Sequence, residues 1–182
     1  MPVISVQTFS DASLTVLQGF NLMYDTKGRL TLAGYYTNNQ KDRTWYYYND
    51  TFKVIKKEIY AAGDLLETID PDMIPNSPDI GLLPDEKDAA FKGGQAAWIK
   101  FLMRNLNPDA GAKSVKGGQV LVAFTLNKNG HPCDIYLRKS VELVLDEEAL
   151  RVMYKMPDWE PAMQNGRLVN AYRVQPVTFE VR

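Results

Sequence analysis

The chain is poor in the residues that build covalent cross-links and metal sites. Its 182 residues include one cysteine, Cys133, and one histidine, His131. A single cysteine excludes an internal disulfide, and without a second histidine the usual Cys/His zinc sites cannot be assembled. We therefore expect no metal and no cofactor, and we interpret His131 as a turn residue and Cys133 as a small residue on a strand face.

Long apolar runs and a charge excess of either sign are also lacking. No hydrophobic segment is long enough to cross a bilayer, and no signal peptide opens the chain, so we expect any upstream signal or anchor to be missing from this sequence. The net charge is −1 and no long basic run occurs, which argues against nucleic acid as a partner.

Catalytic signatures are missing as well. No nucleophile motif, phosphate loop or metal-ligand spacing occurs in the sequence. Asp146, Glu147 and Glu148 could be read as catalytic carboxylates, but they begin a helical pattern, where the helix dipole favours acidic residues. We therefore expect that the protein is not an enzyme.

The first third of the chain contains a repeat with a period of 24 residues. Residues 19–36 and 43–60 align with Asp25 on Asn49, and each copy reads as strand, turn and strand. Asp25 and Asn49 begin the turns, and the flanks are rich in aromatic and β-branched residues that favour strands. We expect residues 1–65 to form an antiparallel β hairpin-repeat unit.

Aromatic residues are concentrated in the segment from Trp45 to Tyr48. Because alternate side chains of a strand face opposite sides, one set packs in the core, and the other set is exposed or covers the linker. An exposed row would bind a partner protein or a glycan, so we name Trp45 and Tyr47 as candidate partner contacts.

The sequence between the two halves, residues 66–88, is rich in proline and acidic residues. This composition is typical of an extended linker. The alternative is a packed irregular segment, since several isoleucine and leucine side chains here could dock on a neighbouring surface.

Residues 89–182 combine two helical patterns with three strands. The first helix begins near Gly93-Gly94, carries apolar residues at three- and four-residue spacing, and ends at Asn107-Pro108. A strand, an Asn129-Gly130 hairpin turn and a return strand follow, and then a second helix that ends at Pro157. We expect an α+β fold with both helices on one face of a three-stranded antiparallel sheet.

The final strand contains Pro176, which has no backbone N–H to donate. The hydrophobic pattern changes phase at this proline, which predicts a bulge, and proline also favours the edge of a sheet. If the three predicted strands of residues 89–182 are numbered along the chain, their connections give the order 2-1-3 in the sheet. This order also places the last strand at an edge. The predicted peptide-binding edge strand consists of Val169, Asn170, Ala171, Tyr172, Arg173, Val174 and Gln175.

Trp159 lies between Pro157 and Pro161. We interpret it as a structural corner whose indole fills the core between sheet and helix. The alternative is that Trp159 is an anchor for a partner at the rim of a binding surface.

An ordered set of short motifs runs through residues 90–182. It comprises FKGG at 91–94, NP at 107–108, GGQVLVAF at 117–124, NG at 129–130, LDEEAL at 145–150, MPxWxP at 156–161, NGRLV at 165–169 and PVxF at 176–179. In this order the motifs resemble the TonB C-terminal domain of Gram-negative envelope proteins. Residues 19–62 are similar to MORN-type hairpin repeats.

In the TonB family this domain binds a short extended segment of an outer-membrane TonB-dependent transporter, which adds as a strand beside the last strand of the domain. The resemblance implies a non-enzymatic protein of the periplasm or cell envelope that acts in transport, including TonB-type energy transduction. Inner-membrane motor proteins are expected partners only if a membrane anchor lies upstream. The alternative is a structural module whose edge strand forms a homodimer or is covered by the chain's own N-terminal segment.

Overall fold

The computed structural model describes residues 4–70, 86–115 and 117–180. The chain divides into two compact units, Met1–Ser77 and Pro78–Arg182. Most of the predicted linker, residues 71–85, lies outside the described residues. Its predicted start at residue 66 is wrong, because the last strand of the first unit runs to Ile69 and pairs with its neighbour up to that residue.

The first unit is a six-stranded antiparallel meander in which each strand pairs with the next along the chain. Its strands are β1 (Ile4–Phe9), β2 (Leu17–Tyr24), β3 (Leu30–Thr37), β4 (Gln40–Tyr48), β5 (Val54–Ala61) and β6 (Asp64–Ile69). Sequential pairing through short turns explains how a chain rich in strand-forming residues forms this sheet without crossover connections.

Two turns of this sheet share one hydrogen-bond pattern. Oδ1 of Asp25 accepts from the backbone N–H groups two and four residues ahead, at 2.8 and 2.9 Å. Oδ1 of Asn49, 24 positions later, accepts from the corresponding groups at 3.1 and 2.9 Å. Asp and Asn favour such turns because their short side chains reach the following backbone. The two predicted turns are confirmed.

The second unit contains three helices and five strands within its described residues. The helices are α1 (Gly94–Asn105), α2 (Pro108–Lys113) and α3 (Leu143–Met153), and the strands are β7 (Gly118–Leu126), β8 (Pro132–Lys139), β9 (Ala162–Gln164), β10 (Arg167–Val169) and β11 (Ala171–Phe179). Three strands form an antiparallel sheet in the order β11-β7-β8, and β9 and β10 form a separate hairpin.

The segment Asn107-Pro108 begins a helix as well as following one. Asn107 is the N-cap of α2, and its Oδ1 accepts from the backbone N–H of Asp109 at 3.0 Å. Proline suits the first turn of a helix because the N–H that it lacks has no partner there. The sequence pattern does not reveal α2, because Asn-Pro is equally typical of a helix stop.

The core of the second unit follows the predicted alternation of β7. Val120, Val122, Phe124 and Leu126 are all almost fully buried. The predicted stripe of α1 is only partly right: Trp98 is buried, whereas Ile99 and Met103 are 49% and 76% exposed. An apolar residue at helical spacing does not by itself show which neighbours cover the helix.

The acidic residues at the start of α3 have structural partners. Asp146 is completely buried and accepts hydrogen bonds from Ser140 Oγ and from the backbone N–H of Val141. Glu148 is also buried, and its carboxylate pairs with the guanidinium of Arg151. These contacts account for both carboxylates without a catalytic role.

The predicted bulge at Pro176 is wrong. The nine residue pairs between β11 and β7 run from Ala171↔Leu126 to Phe179↔Gly118 without a register shift. The hydrophobic pattern changes phase because the odd-numbered positions of β11 carry polar side chains in the first half of the strand and apolar side chains in the second half. The strand itself continues regularly through the proline.

Candidate functional site

Strand β11 lies at the end of its sheet and pairs, among the described residues, only with β7. Pro176 lies opposite Leu121. Because proline has no N–H to donate, we infer that these two residues form a non-hydrogen-bonded pair, in which the backbone groups of each residue point away from the other strand. Alternation along the regular strand then directs the backbone groups of Tyr172 and Val174 to the open edge too. By the same alternation, Ala171 and the other odd-numbered residues direct their backbone groups toward β7.

The predicted edge segment only partly coincides with this strand. Val169 belongs to β10, where it pairs with Ala162, and Asn170 lies between the two strands. The remaining five predicted residues, Ala171 to Gln175, form the first half of β11. The Asn165-Gly166 turn closes the β9–β10 hairpin, and that hairpin takes up the residues that were expected to begin the final strand.

Two polar side chains of β11 make specific contacts with the segment around α1. The indole N–H of Trp98 donates to Oε1 of Gln175 at 2.8 Å. Arg173 donates from Nη2 to the carbonyl of Ala89 at 2.7 Å, and the same nitrogen lies 3.2 Å from a carboxylate oxygen of Asp88. The edge strand is therefore tied to the chain that leads into the first helix.

A cleft of about 290 Å³ opens beside this part of β11. Its floor is aromatic: Trp159 packs against Phe91, Trp98 and Phe124 with ring-centroid distances between 5.2 and 5.8 Å. The other lining residues are Ala89, Ala90, Gly94, Gln95, Arg173, Val174 and Gln175. The cleft and the open edge thus share Val174.

Trp159 is held in the cleft by the predicted hairpin turn. Its backbone N–H donates to the carbonyl of Gly130 at 2.9 Å, and a Cβ at Gly130 would lie 2.0 Å from the carbonyl oxygen of Trp159. Gly130 also has a φ of +79°, which glycine tolerates best. Trp159 is 9% exposed, as expected for a structural corner.

Two buried donors of this region have no hydrogen-bond partner among the described residues: Nε1 of Trp159 and Nε of Arg173. Buried polar groups are nearly always paired, so two unpaired donors in one region are unusual. Sequence patterns did not reveal this feature. The sequence did contain an indication of it. Arg173 and Gln175 are polar, although the alternation of the strand places them on the face where apolar side chains are expected.

The candidate contacts of the first unit are largely enclosed. Trp45 is 2% exposed. Its ring packs edge-to-face against the ring of Tyr36, with the centroids 5.1 Å apart, and the Lys41 ammonium lies 4.4 Å from the centroid of the Trp45 ring. The hydroxyl of Tyr47 donates to Glu58 at 2.5 Å. This arrangement leaves Trp45 almost no surface for a partner.

Glu58 is the centre of this polar cluster. Burial raises the pKa of its carboxyl, but hydrogen bonds from Lys56, Tyr47 and Tyr60 outweigh that effect and lower the pKa to about 2. Burial and the contact with Glu58 raise the pKa of Tyr47. The cluster holds a carboxylate and a neutral phenol in a fixed geometry, which stabilises the sheet.

The two residues singled out for their rarity lie on the β7–β8 hairpin. His131 is exposed, and its Nδ1 lies 2.8 Å from a carboxylate oxygen of Asp158. Cys133 is half-buried, and burial raises the pKa of its thiol, which is opposite to the shift that activates a cysteine nucleophile.

The region that contains the edge strand has a recognisable relative among protein families. Residues 107–181 match the model of the Gram-negative bacterial TonB protein C-terminal. The match supports the predicted TonB C-terminal domain in this region, which is less than half of the chain. It includes β7, α3, Trp159 and β11 but not α1, and the similarity of residues 19–62 to MORN repeats stays a prediction.

The matched family is a non-enzymatic interaction domain of the Gram-negative cell envelope, whose members generally interact with TonB-dependent outer-membrane transporters. No curated protein and no solved structure matches the chain. In the part of the chain that the structure describes, every helix is too short or too polar to cross a membrane.

Proposed function

We propose that the second unit binds an extended peptide segment of an outer-membrane transporter by adding it as a strand to β11. The protein then acts without catalysis, as a cell-envelope partner in transport of the TonB type. The observation that carries this proposal is the regular edge strand, whose Tyr172 and Val174 direct backbone N–H and carbonyl groups away from β7. An open edge of this kind is a template for strand addition.

The edge is suited to a short peptide. Pro176 cannot donate to a visiting strand, and its carbonyl already accepts from the Gln175 side-chain amide at 2.7 Å. Pairing is therefore expected on the Tyr172–Val174 segment and ends before the proline. A few backbone hydrogen bonds of about 0.5–1.5 kcal/mol each, reduced by the cost of ordering the peptide, correspond to a weak and readily released complex.

Strand addition can be tested by titrating the full chain with a synthetic segment from the periplasmic terminus of an outer-membrane transporter. Amide resonances of Tyr172 and Val174 are expected to shift, together with those of β7 opposite them. If no β11 amide shifts at millimolar peptide, the proposal is wrong.

A pair of proline variants isolates the backbone contribution. Val174→Pro removes an N–H that faces the edge, whereas the N–H groups bonded to β7 stay in place, so peptide binding should fall at least about tenfold without loss of fold. Thr178→Pro makes the same change on the same edge beyond Pro176, and binding should be retained. Equal loss in both variants would contradict pairing on the Tyr172–Val174 segment.

The alternative function, a homodimer through the same edge, uses the same backbone groups. Sedimentation of the free chain separates the two functions. A monomer that binds peptide supports the transporter interaction, and a dimer abolished by Val174→Pro supports self-association instead.

A further inference from the structure

A buried donor without a partner among the described residues lines the cleft beside β11. The ring of Trp159 lines the cleft, the side chain is more than nine-tenths buried, and its Nε1 has no partner among the described residues. The neighbouring Trp98, 5.2 Å away between ring centroids, donates its own indole N–H to Gln175. Of these two neighbouring indoles, only Trp159 therefore has an N–H without a partner among the described residues.

Arg173 supplies a second donor at the same place. Its Nη2 is engaged by the Ala89 carbonyl and by Asp88, whereas its buried Nε has no partner in the described part of the chain. Asp88 is 64% exposed at its side chain, so solvent weakens its hold on the guanidinium charge. The cleft therefore retains a positive group on the wall formed by β11.

The start of α1 adds to the same polarity. Gly94 and Gln95 line the cleft, the N-cap Gly93 has no side chain to cap the helix, and the first turn contains no acidic residue. A helix start carries partial positive charge from its backbone N–H groups and favours an anion. Helix, indole and guanidinium thus converge on a cleft large enough for one long side chain.

We propose that this cleft is a subsite for a carboxylate, namely an aspartate or glutamate side chain of the peptide strand that pairs with β11. The inference rests on the proposed strand addition, because only a paired strand places a side chain beside Arg173 and Gln175, the two residues of β11 whose side chains turn toward the cleft. The indole N–H of Trp159 and Nε–H of Arg173 donate to the carboxylate oxygens, and the aromatic floor contacts the methylene groups.

The test uses the full chain and acetylated, amidated transporter-segment peptides, so that no terminal charge is present. Glutamate is placed at each position in turn, and each peptide has a glutamine twin. At the position over the cleft, the glutamate peptide is expected to bind about tenfold more tightly than its twin, which corresponds to about 1.4 kcal/mol. On that peptide alone, the Trp159 indole N–H resonance should move downfield.

Trp159→Phe keeps a ring in the cleft and removes the N–H. This variant should bind the glutamine peptide as the parent does and lose most of the preference for glutamate. Trp45→Phe is the matched control, because the same substitution in the first unit should leave the preference unchanged. A preference that survives in Trp159→Phe, or twins that bind equally to the parent chain, would overturn the subsite while strand addition stands.

Two further outcomes distinguish the subsite from a failure of strand addition and from binding of free carboxylates. If no peptide of either series binds, strand addition itself fails and the subsite falls with it. Free glutarate should leave the Trp159 indole resonance in place, because without strand pairing nothing holds the carboxylate over the cleft. A shift caused by glutarate alone would contradict the assignment to a peptide side chain.

Discussion

Trp98 and Gln175 are joined by a hydrogen bond of 2.8 Å from the indole nitrogen to the side-chain amide oxygen. Trp98 is the only buried residue among the described residues of α1, and the bond connects it to the inner face of the edge strand. The position of the first helix and the geometry of the candidate binding edge are therefore coupled.

Trp98→Phe should destabilise the second unit by about 1 kcal/mol, because it leaves the partly buried amide oxygen of Gln175 without its donor. Urea unfolding followed on resonances of the second unit measures the change. The double variant Trp98→Phe/Gln175→Leu removes both partners and should cost less than the sum of the two single variants. Additive losses would show that the bond contributes nothing.

Gly130→Ala should destabilise the second unit strongly, by roughly 3 kcal/mol, since the new Cβ meets the Trp159 carbonyl at 2.0 Å and the residue has a positive φ. Gly166→Ala is the matched control, with a φ of +71° and no described atom within 4 Å of the added Cβ. It carries only the backbone strain of about 1 kcal/mol. Thermal unfolding compares them, and equal losses would contradict a packing role of Gly130 against Trp159.

Glu148→Ala should cost about 2–3 kcal/mol, because the carboxylate accepts from the Asn107 backbone at 2.6 Å and from two nitrogens of Arg151 at 2.7 Å. Arg151 would keep only its bond to the carbonyl of Asn105 among the described residues. Glu148→Gln retains an acceptor and should cost less. Glu147→Ala, one residue away, should change the free energy of unfolding by less than about 0.5 kcal/mol.

Acid should destabilise the first unit through Glu58. Its folded pKa of about 2 lies below the ordinary 4.5, so its contribution is complete above pH 4.5 and disappears as the pH falls toward 2. The loss is on the order of 2–3 kcal/mol. Glu58→Gln should be less stable at neutral pH and show a flatter acid profile in circular dichroism.

A residual acid slope is expected in Glu58→Gln. Hydrogen bonds from Arg29 lower the pKa of the Asp25 carboxyl, so the contribution of that group to stability is also lost as the pH falls. A variant that retains the full slope of the parent would show that Glu58 is not the group responsible.

Local signals in the sequence accounted for the turns and for the alternation of β7. Asp25, Asn49, Asn129-Gly130 and Asn165-Gly166 act through backbone atoms within a few residues, so their effect does not depend on distant neighbours. The burial pattern of β7 was equally readable, because strand parity is a local property.

Tertiary structure decided where the final strand begins and why its pattern changes phase. Val169 joined the β9–β10 hairpin, and Arg173 and Gln175 turned inward to meet Ala89 and Trp98. Ala89 and Trp98 lie more than 70 residues before β11 in the chain, so no local pattern could reveal these two contacts. In the sequence, the change of phase that the two polar side chains cause looks the same as the change that a bulge causes.

The amino-acid sequence alone indicated α1, the β7–β8 hairpin, α3 and the final strand in that order, together with the edge character of Pro176 and the resemblance to the TonB C-terminal domain, but it indicated neither α2 nor the β9–β10 hairpin. Only the folded chain brought Trp159, Arg173 and the start of α1 around one cleft beside that edge. The physical reason is that periodicity and turn chemistry act over a few residues, whereas a cleft is made by side chains that meet across the fold, where each donor must find a partner or be left without one.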